Sequence, residues 1–205
     1  MNQRVNDFSS LTTHPYSIMM YLVLAGLTMI FFGLSAAYLY TRVTMGVQPI
    51  QMHWLFLCNT VVLAGSSWTL RKAKTFYLND DTEGYQRALW GTLLLTILFM
   101  VLQFVAWQFL RAENAQLLEK SKVMNDYVWA ISIIHFFHII GGLPFFVIFL
   151  IVAYRRMKEP VSVLVYFSDP LKQLKLRLLS MYWHFLDYLW IYLMLFFWLN
   201  YLIQF

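Results

Sequence analysis

A single cysteine, Cys58, in 205 residues excludes an intrachain disulfide, and cysteine usage gives no compartment. Cys58 reads as a small apolar side chain in a helix. Charge is scarce as well. Only 12% of residues are Asp, Glu, Lys or Arg, about half the level of a soluble domain, which carries roughly 25%. No acid at all occurs between Asp7 and Asp80. A proton or cation transporter keeps a carboxylate in mid-membrane, and only Asp187 qualifies here, so transport through this chain alone is not expected. There is no glycine-rich phosphate loop, no Walker motif, no Glu-x-x-His repeat of the di-iron kind and no Ser–His–Asp set. These absences exclude the common self-sufficient catalytic sites.

What is present is apolar length. The chain is 60% hydrophobic and 19% aromatic. A helix crosses a bilayer with about 20 apolar residues, and five stretches fit, at 16–41, 52–70, 88–110, 127–154 and 180–203. The first is too long for a signal-peptide core and has no cleavage site after it. The expected fold is therefore all-α: a polytopic membrane protein with a five-transmembrane-helix bundle, in one domain over residues 16–205. Residues 1–15 form a short polar tail.

The net charge of +5 is an orientation signal, not a nucleic-acid signal. Arg71, Lys72, Lys74, Arg87, Arg155, Arg156, Lys158, Lys172, Lys175 and Arg177 fall in the second and fourth loops, on the side of Arg4. Arg42, Arg111, Lys120 and Lys122 fall on the other. The positive-inside rule puts the N-terminus in the cytoplasm and the C-terminus outside. Anionic headgroups are a secondary partner of the basic side.

Local signals refine this frame. Asn79–Asp80–Asp81–Thr82 reads as a turn before a helix start. Asn125 or Asp126 is a candidate N-cap for the fourth span. Ser168 or Asp169 can cap a helix with Pro170 at its first position. Leu171, Leu174 and Leu178 recur at helical spacing among Lys172, Lys175 and Arg177, an amphipathic approach to the membrane that runs on into the fifth span. Gly26, Gly33, Gly65, Gly141 and Gly142 are candidate helix-packing positions, since small residues let backbones approach where lipid gives no hydrophobic drive.

The candidate functional residues are the polar ones within the spans, because burying a charge there costs several kcal/mol. They are His135 and His138 in the fourth span and His184 and Asp187 in the fifth, with Trp183 and Tyr182 beside them. His53 lies at the outer mouth of the second span, and His14 precedes the first in water. Each three-residue spacing puts a pair on one helix face. Counting residues from the span ends puts the two pairs some 15–20 Å apart in depth. That separation argues against one metal site. The expectation is a buried polar network or lipid contact, with no catalytic, cofactor or metal ligands in the chain. A membrane hydroxylase using these histidines is the alternative, and it needs more ligands at one depth.

These residues resemble a known family. YWHFLDYLW, from Tyr182 to Trp190, resembles the last-helix signature of subunit III of haem–copper terminal oxidases. IHFFHIIGG (Ile134 to Gly142), LCNTVVLAGSSWTL (Leu57 to Leu70) and ALWGTLLLTILFMVLQ (Ala88 to Gln103) resemble that family's other helices, in order. Five spans match the short bacterial form, which lacks the first two of seven. The resemblance implies a non-catalytic subunit in the bacterial inner membrane. It would pack against oxidase subunits I and II, which carry haem and copper, hold phospholipid in its clefts, and support assembly and sustained proton uptake. Cytochrome c is the favoured electron donor, with a quinol oxidase as the alternative. One departure is clear: GLTMIFFG (Gly26 to Gly33) and LQFVAWQF (Leu102 to Phe109) lack the buried acids many members carry there. Roles of those carboxylates are not carried over.

Overall fold

The computed structural model describes residues 14–50, 52–113, 119–157 and 160–203. Among these residues the helices are α1 (Pro15–Met45), α2 (Leu55–Leu78), α3 (Thr82–Glu113), α4 (Glu119–Arg156), α5 (Pro160–Ser168) and α6 (Pro170–Leu202). Among the described residues there is no strand. Residues 1–13 of the expected tail lie outside the described set. His14 is not simply wet: its Nδ1 accepts the Tyr16 N–H at 3.4 Å and caps α1, with Pro15 at the first helical position. Gly46, at φ 62°, ends the same helix in the left-handed conformation that a Cβ disfavours.

The other helix starts follow side-chain chemistry. The Asp81 carboxylate accepts the Gly84 N–H at 2.9 Å, so the expected turn after α2 delivers the cap of α3. Asp169 accepts the Leu171 N–H at 2.8 Å ahead of Pro170. The cap expected at Asn125 or Asp126 is wrong. The helix is already under way at Glu119, and both residues sit inside it, because the flanking lysines and glutamate are good helix formers. Helix α5 adds a short element in the fourth loop that apolar length did not suggest.

Among the described residues four helices are long and apolar enough to cross a membrane: α1, α3, α4 and α6. The chain is a multi-pass membrane protein. Helix α2 falls short of that apolarity. Asn59, Thr60, Ser66, Ser67 and Thr69 dilute it, and Arg71, Lys72 and Lys74 end it, although its 24 residues extend for roughly 36 Å.

Those polar residues face neighbours. Helix α2 packs most extensively on α3, and the seam carries Asn59 Nδ2 donating to Gln103 Oε1 at 2.7 Å and Thr69 sharing a 2.8 Å hydroxyl bond with Thr92. Helices α4 and α6 form the centre. Helix α1 lies against them on one side, while α2 packs on α6 and α3 packs on α4. Backbone groups in lipid must be satisfied within helices, so side-chain polar contacts are the available interhelical glue. Arg42, buried on α1, shows this. It donates to the Asn200 carbonyl at 2.8 Å, to Asn200 Oδ1 at 3.1 Å and to the Ile203 carbonyl at 2.5 Å, clasping the last turn of α6.

Candidate functional site

Helix α4 carries both histidines on one face, as their spacing requires, and both touch Phe31 of α1. Phe31 of α1 lies 6.4 Å from the His135 ring and 5.8 Å from the His138 ring, centroid to centroid. Their surroundings differ. His135 is fully buried, with the Trp190 ring at 5.2 Å and the Phe99 ring at 6.4 Å. Neither of its nitrogens has a hydrogen-bond partner among the described residues. His138 is half-buried, and its Nδ1 donates to the Ile134 carbonyl at 2.6 Å. Tyr182 of α6 then donates its hydroxyl to the His138 carbonyl at 2.8 Å.

The second pair faces α2. His184 Nδ1 and Ser67 Oγ share a hydrogen bond of 2.7 Å. The Asp187 carboxylate, on a residue only 3% exposed, lies 3.7 Å from the same nitrogen. That is too long for a hydrogen bond, and neither Asp187 oxygen has a partner among the described residues. Arg71, one turn beyond Ser67, donates to the Tyr188 hydroxyl at 3.2 Å. The pair is thus held between α2 and α6 beside a basic end.

The depth expectation needs correcting. Helix α6 begins at Pro170, as its cap and proline predict, and its side-chain contacts with α4 fix the relative depth of the two pairs. Tyr182 meets His138 and Gly142, and Trp190 meets His135. In antiparallel helices this register puts Asp187 near the level of His138. The pairs thus lie at similar depth on different helices: His184 and Asp187 look toward α2, His138 toward α1, and His135 sits among Phe31 of α1, Phe99 of α3 and Trp190 of α6. Among the described residues no three His, Cys, Asp or Glu side chains come together to hold a metal ion.

A cleft of about 550 Å³ opens between the first two turns of α1, the second half of α4 and the first half of α6. Met19, Phe145 and Ile148 give it apolar walls, and the bare backbone of Gly141 and Gly142 forms part of its floor. Tyr166 from α5 and Lys172 and Lys175 from α6 line one end, with the Lys172 ammonium 5.8 Å from the Tyr166 ring. Burial of the Tyr166 phenol, outside the spans, holds its pKa above the usual value.

The glycines divide into two sets. A Cβ on Gly65 would touch Leu95 at 3.6 Å, and one on Gly142 would meet Tyr182 Cε1 at 2.5 Å, so these two stand at helix contacts. Gly26, Gly33 and Gly141 have open space within 4 Å. Trp183, beside Tyr182, is buried with its ring 4.8 Å from Phe146. The sequence reading missed three partners: Ser67 for His184, the Asn59–Gln103 pair, and Arg42 for the end of α6. The Ser66–Ser67 doublet within the expected second span was the available signal for the first.

Comparison with known families gives a match over most of the chain. The family model described as cytochrome c oxidase subunit III covers residues 16–201. No curated protein matches the chain.

Proposed function

We propose a function from one premise: the chain belongs to the cytochrome c oxidase subunit III family. Membership makes it part of a multi-subunit haem–copper oxidase. Within that frame our reading is a non-catalytic subunit that packs beside subunits I and II and steadies the complex. It keeps proton uptake by the catalytic subunit going over many turnovers, and it holds phospholipid. Oxygen reduction occurs on haem and copper in the neighbouring chain, with cytochrome c as the donor. His135, His138, His184, Asp187, Tyr182 and Trp183 serve as polar and aromatic ties between helices or to lipid.

The observation that carries the lipid role is the cleft between α1, α4 and α6. It is lined by apolar side chains, with two lysines at one end. Acyl chains suit its walls, and a phosphate suits the ammonium groups, each worth about 1 kcal/mol near an anionic headgroup. The same end carries Arg71, Lys72, Arg155 and Arg156 on neighbouring helices. This supports an orientation with the N-terminus in the cytoplasm and, with α2 as the second of five crossings, the C-terminus outside; the bacterial inner membrane belongs to the same reading through the short form of the family.

The test is oxygen consumption by the oxidase with and without this chain, followed over thousands of turnovers. The reading predicts a similar initial rate and a much faster decline without it. Complete loss of the initial rate in an otherwise intact complex contradicts the reading.

A further inference from the structure

Four buried polar atoms at the centre of the bundle lack a partner on the described protein. They are both nitrogens of His135, Oδ1 of Asn59 and Nε2 of Gln103. All three residues are 0% exposed. In the middle of a membrane protein such atoms cannot turn to solvent, and nearly every buried polar group in folded proteins finds a partner.

The helices bring them to one level. Phe99, Gln103 and Trp107 are four residues apart on α3 and share a face. Phe99 meets the ring of His135 at 6.4 Å. Trp107 donates to Ser132 Oγ at 2.9 Å and stacks edge-on with Phe136 at 5.0 Å. Gln103, between them, therefore stands opposite the turn of α4 that carries His135. Asn59 is tied to Gln103 at 2.7 Å. Its neighbour Thr60 accepts from Trp190 Nε1 at 3.1 Å, and the Trp190 ring lies 5.2 Å from His135.

The spare valences are complementary. A neutral imidazole offers one donor and one acceptor. The Asn–Gln pair keeps one donor atom, Gln103 Nε2, and one acceptor atom, Asn59 Oδ1, without a partner, and exchanging O and N in both amides leaves that balance unchanged. We infer that this layer binds at least one ordered internal water, which links His135 on α4 to the Asn59–Gln103 pair of α2 and α3. A buried water typically makes about three hydrogen bonds to such groups, and this one would join three helices through a single molecule. The inference concerns the bundle itself and is independent of lipid in the cleft.

The test is a density map of the assembled oxidase at a resolution that shows ordered water. The expected result is a water peak about 2.7–3.2 Å from a His135 nitrogen and from an amide atom of Asn59 or Gln103. No peak there, or a direct hydrogen bond from His135 to either amide, overturns the inference. His135→Phe gives a second readout. With a bridging water lost, the unfolding midpoint of the complex falls by several degrees. An imidazole that has no partner is better replaced by a phenyl ring, and a raised midpoint contradicts the inference. The map of the native complex decides the matter whether or not the variant assembles.

Discussion

Gly141 and Gly142 are neighbours on α4, yet alanine should act on them in opposite directions. At Gly141 the new methyl enters open space. Alanine is the better helix former by about 1 kcal/mol, so Gly141→Ala should be neutral or stabilising by up to that amount. At Gly142 the methyl would stand 2.5 Å from Tyr182 Cε1 and 3.3 Å from Cδ1. The tyrosine cannot simply swing away, because its hydroxyl is anchored on the His138 carbonyl at 2.8 Å. Overpacking of this kind costs about 1–3 kcal/mol, and loss of the hydrogen bond adds about 1 kcal/mol. After the helix-propensity gain, Gly142→Ala should be destabilised by about 1–3 kcal/mol. The two variants should therefore differ by roughly 1–4 kcal/mol. Unfolding of the purified chain in mixed micelles by titrated denaturing detergent, followed by helicity, measures this. Equal stability of the two variants, or a destabilised Gly141→Ala, refutes the α4–α6 register on which the site description rests.

Three further outcomes are expected. Lys172→Gln with Lys175→Gln should remove about 2 kcal/mol of headgroup attraction, close to a 30-fold loss of affinity; anionic phospholipid co-purifying with the complex should fall, and unchanged lipid content counts against the cleft as its seat. Asp187→Asn should shorten turnover-linked lifetime or weaken assembly while sparing the initial rate, read with an oxygen electrode over successive substrate additions. Arg42→Leu should destabilise the α1–α6 contact by about 3 kcal/mol, since it strips a buried cation from three acceptors and leaves them unpaired; earlier proteolysis of the last turn of α6 is the readout.

The sequence made the helices and the helical caps with short-range signals legible. Asp169 ahead of Pro170 is an example, because the cap needs only two adjacent residues. The amphipathic run to Leu178 continues into α6 as expected. Yet taking residue 180 as the edge of the last span placed His184 close to the membrane surface, whereas its helix neighbours Tyr182 and Trp190 meet His138 and His135 of α4. Apolar length marks the lipid-facing core, whereas the helix continues beyond it through polar residues that fold equally well. Helix α2 erred in the opposite sense. Its polar residues hold α3 and α6 through side-chain bonds, so a partner helix covers what apolar length alone would penalise. The spacing of His135 and His138 gave their common face. Which residues close around them depends on register between helices 40 or more positions apart, as with Tyr182 and His138, and no local pattern encodes that.

The central claim is that this chain works as a cofactor-free member of an oxidase. Mild-detergent purification through a tag on the chain, followed by identification of its companions, a visible spectrum, and then metal and haem analysis of the separated chain, tests it most directly. The account predicts co-purifying catalytic subunits with a haem Soret band in the complex, and no stoichiometric haem, iron or copper on the separated chain. Metal bound to His135 or His138 of the isolated chain, or purification without haem-bearing partners, would contradict it.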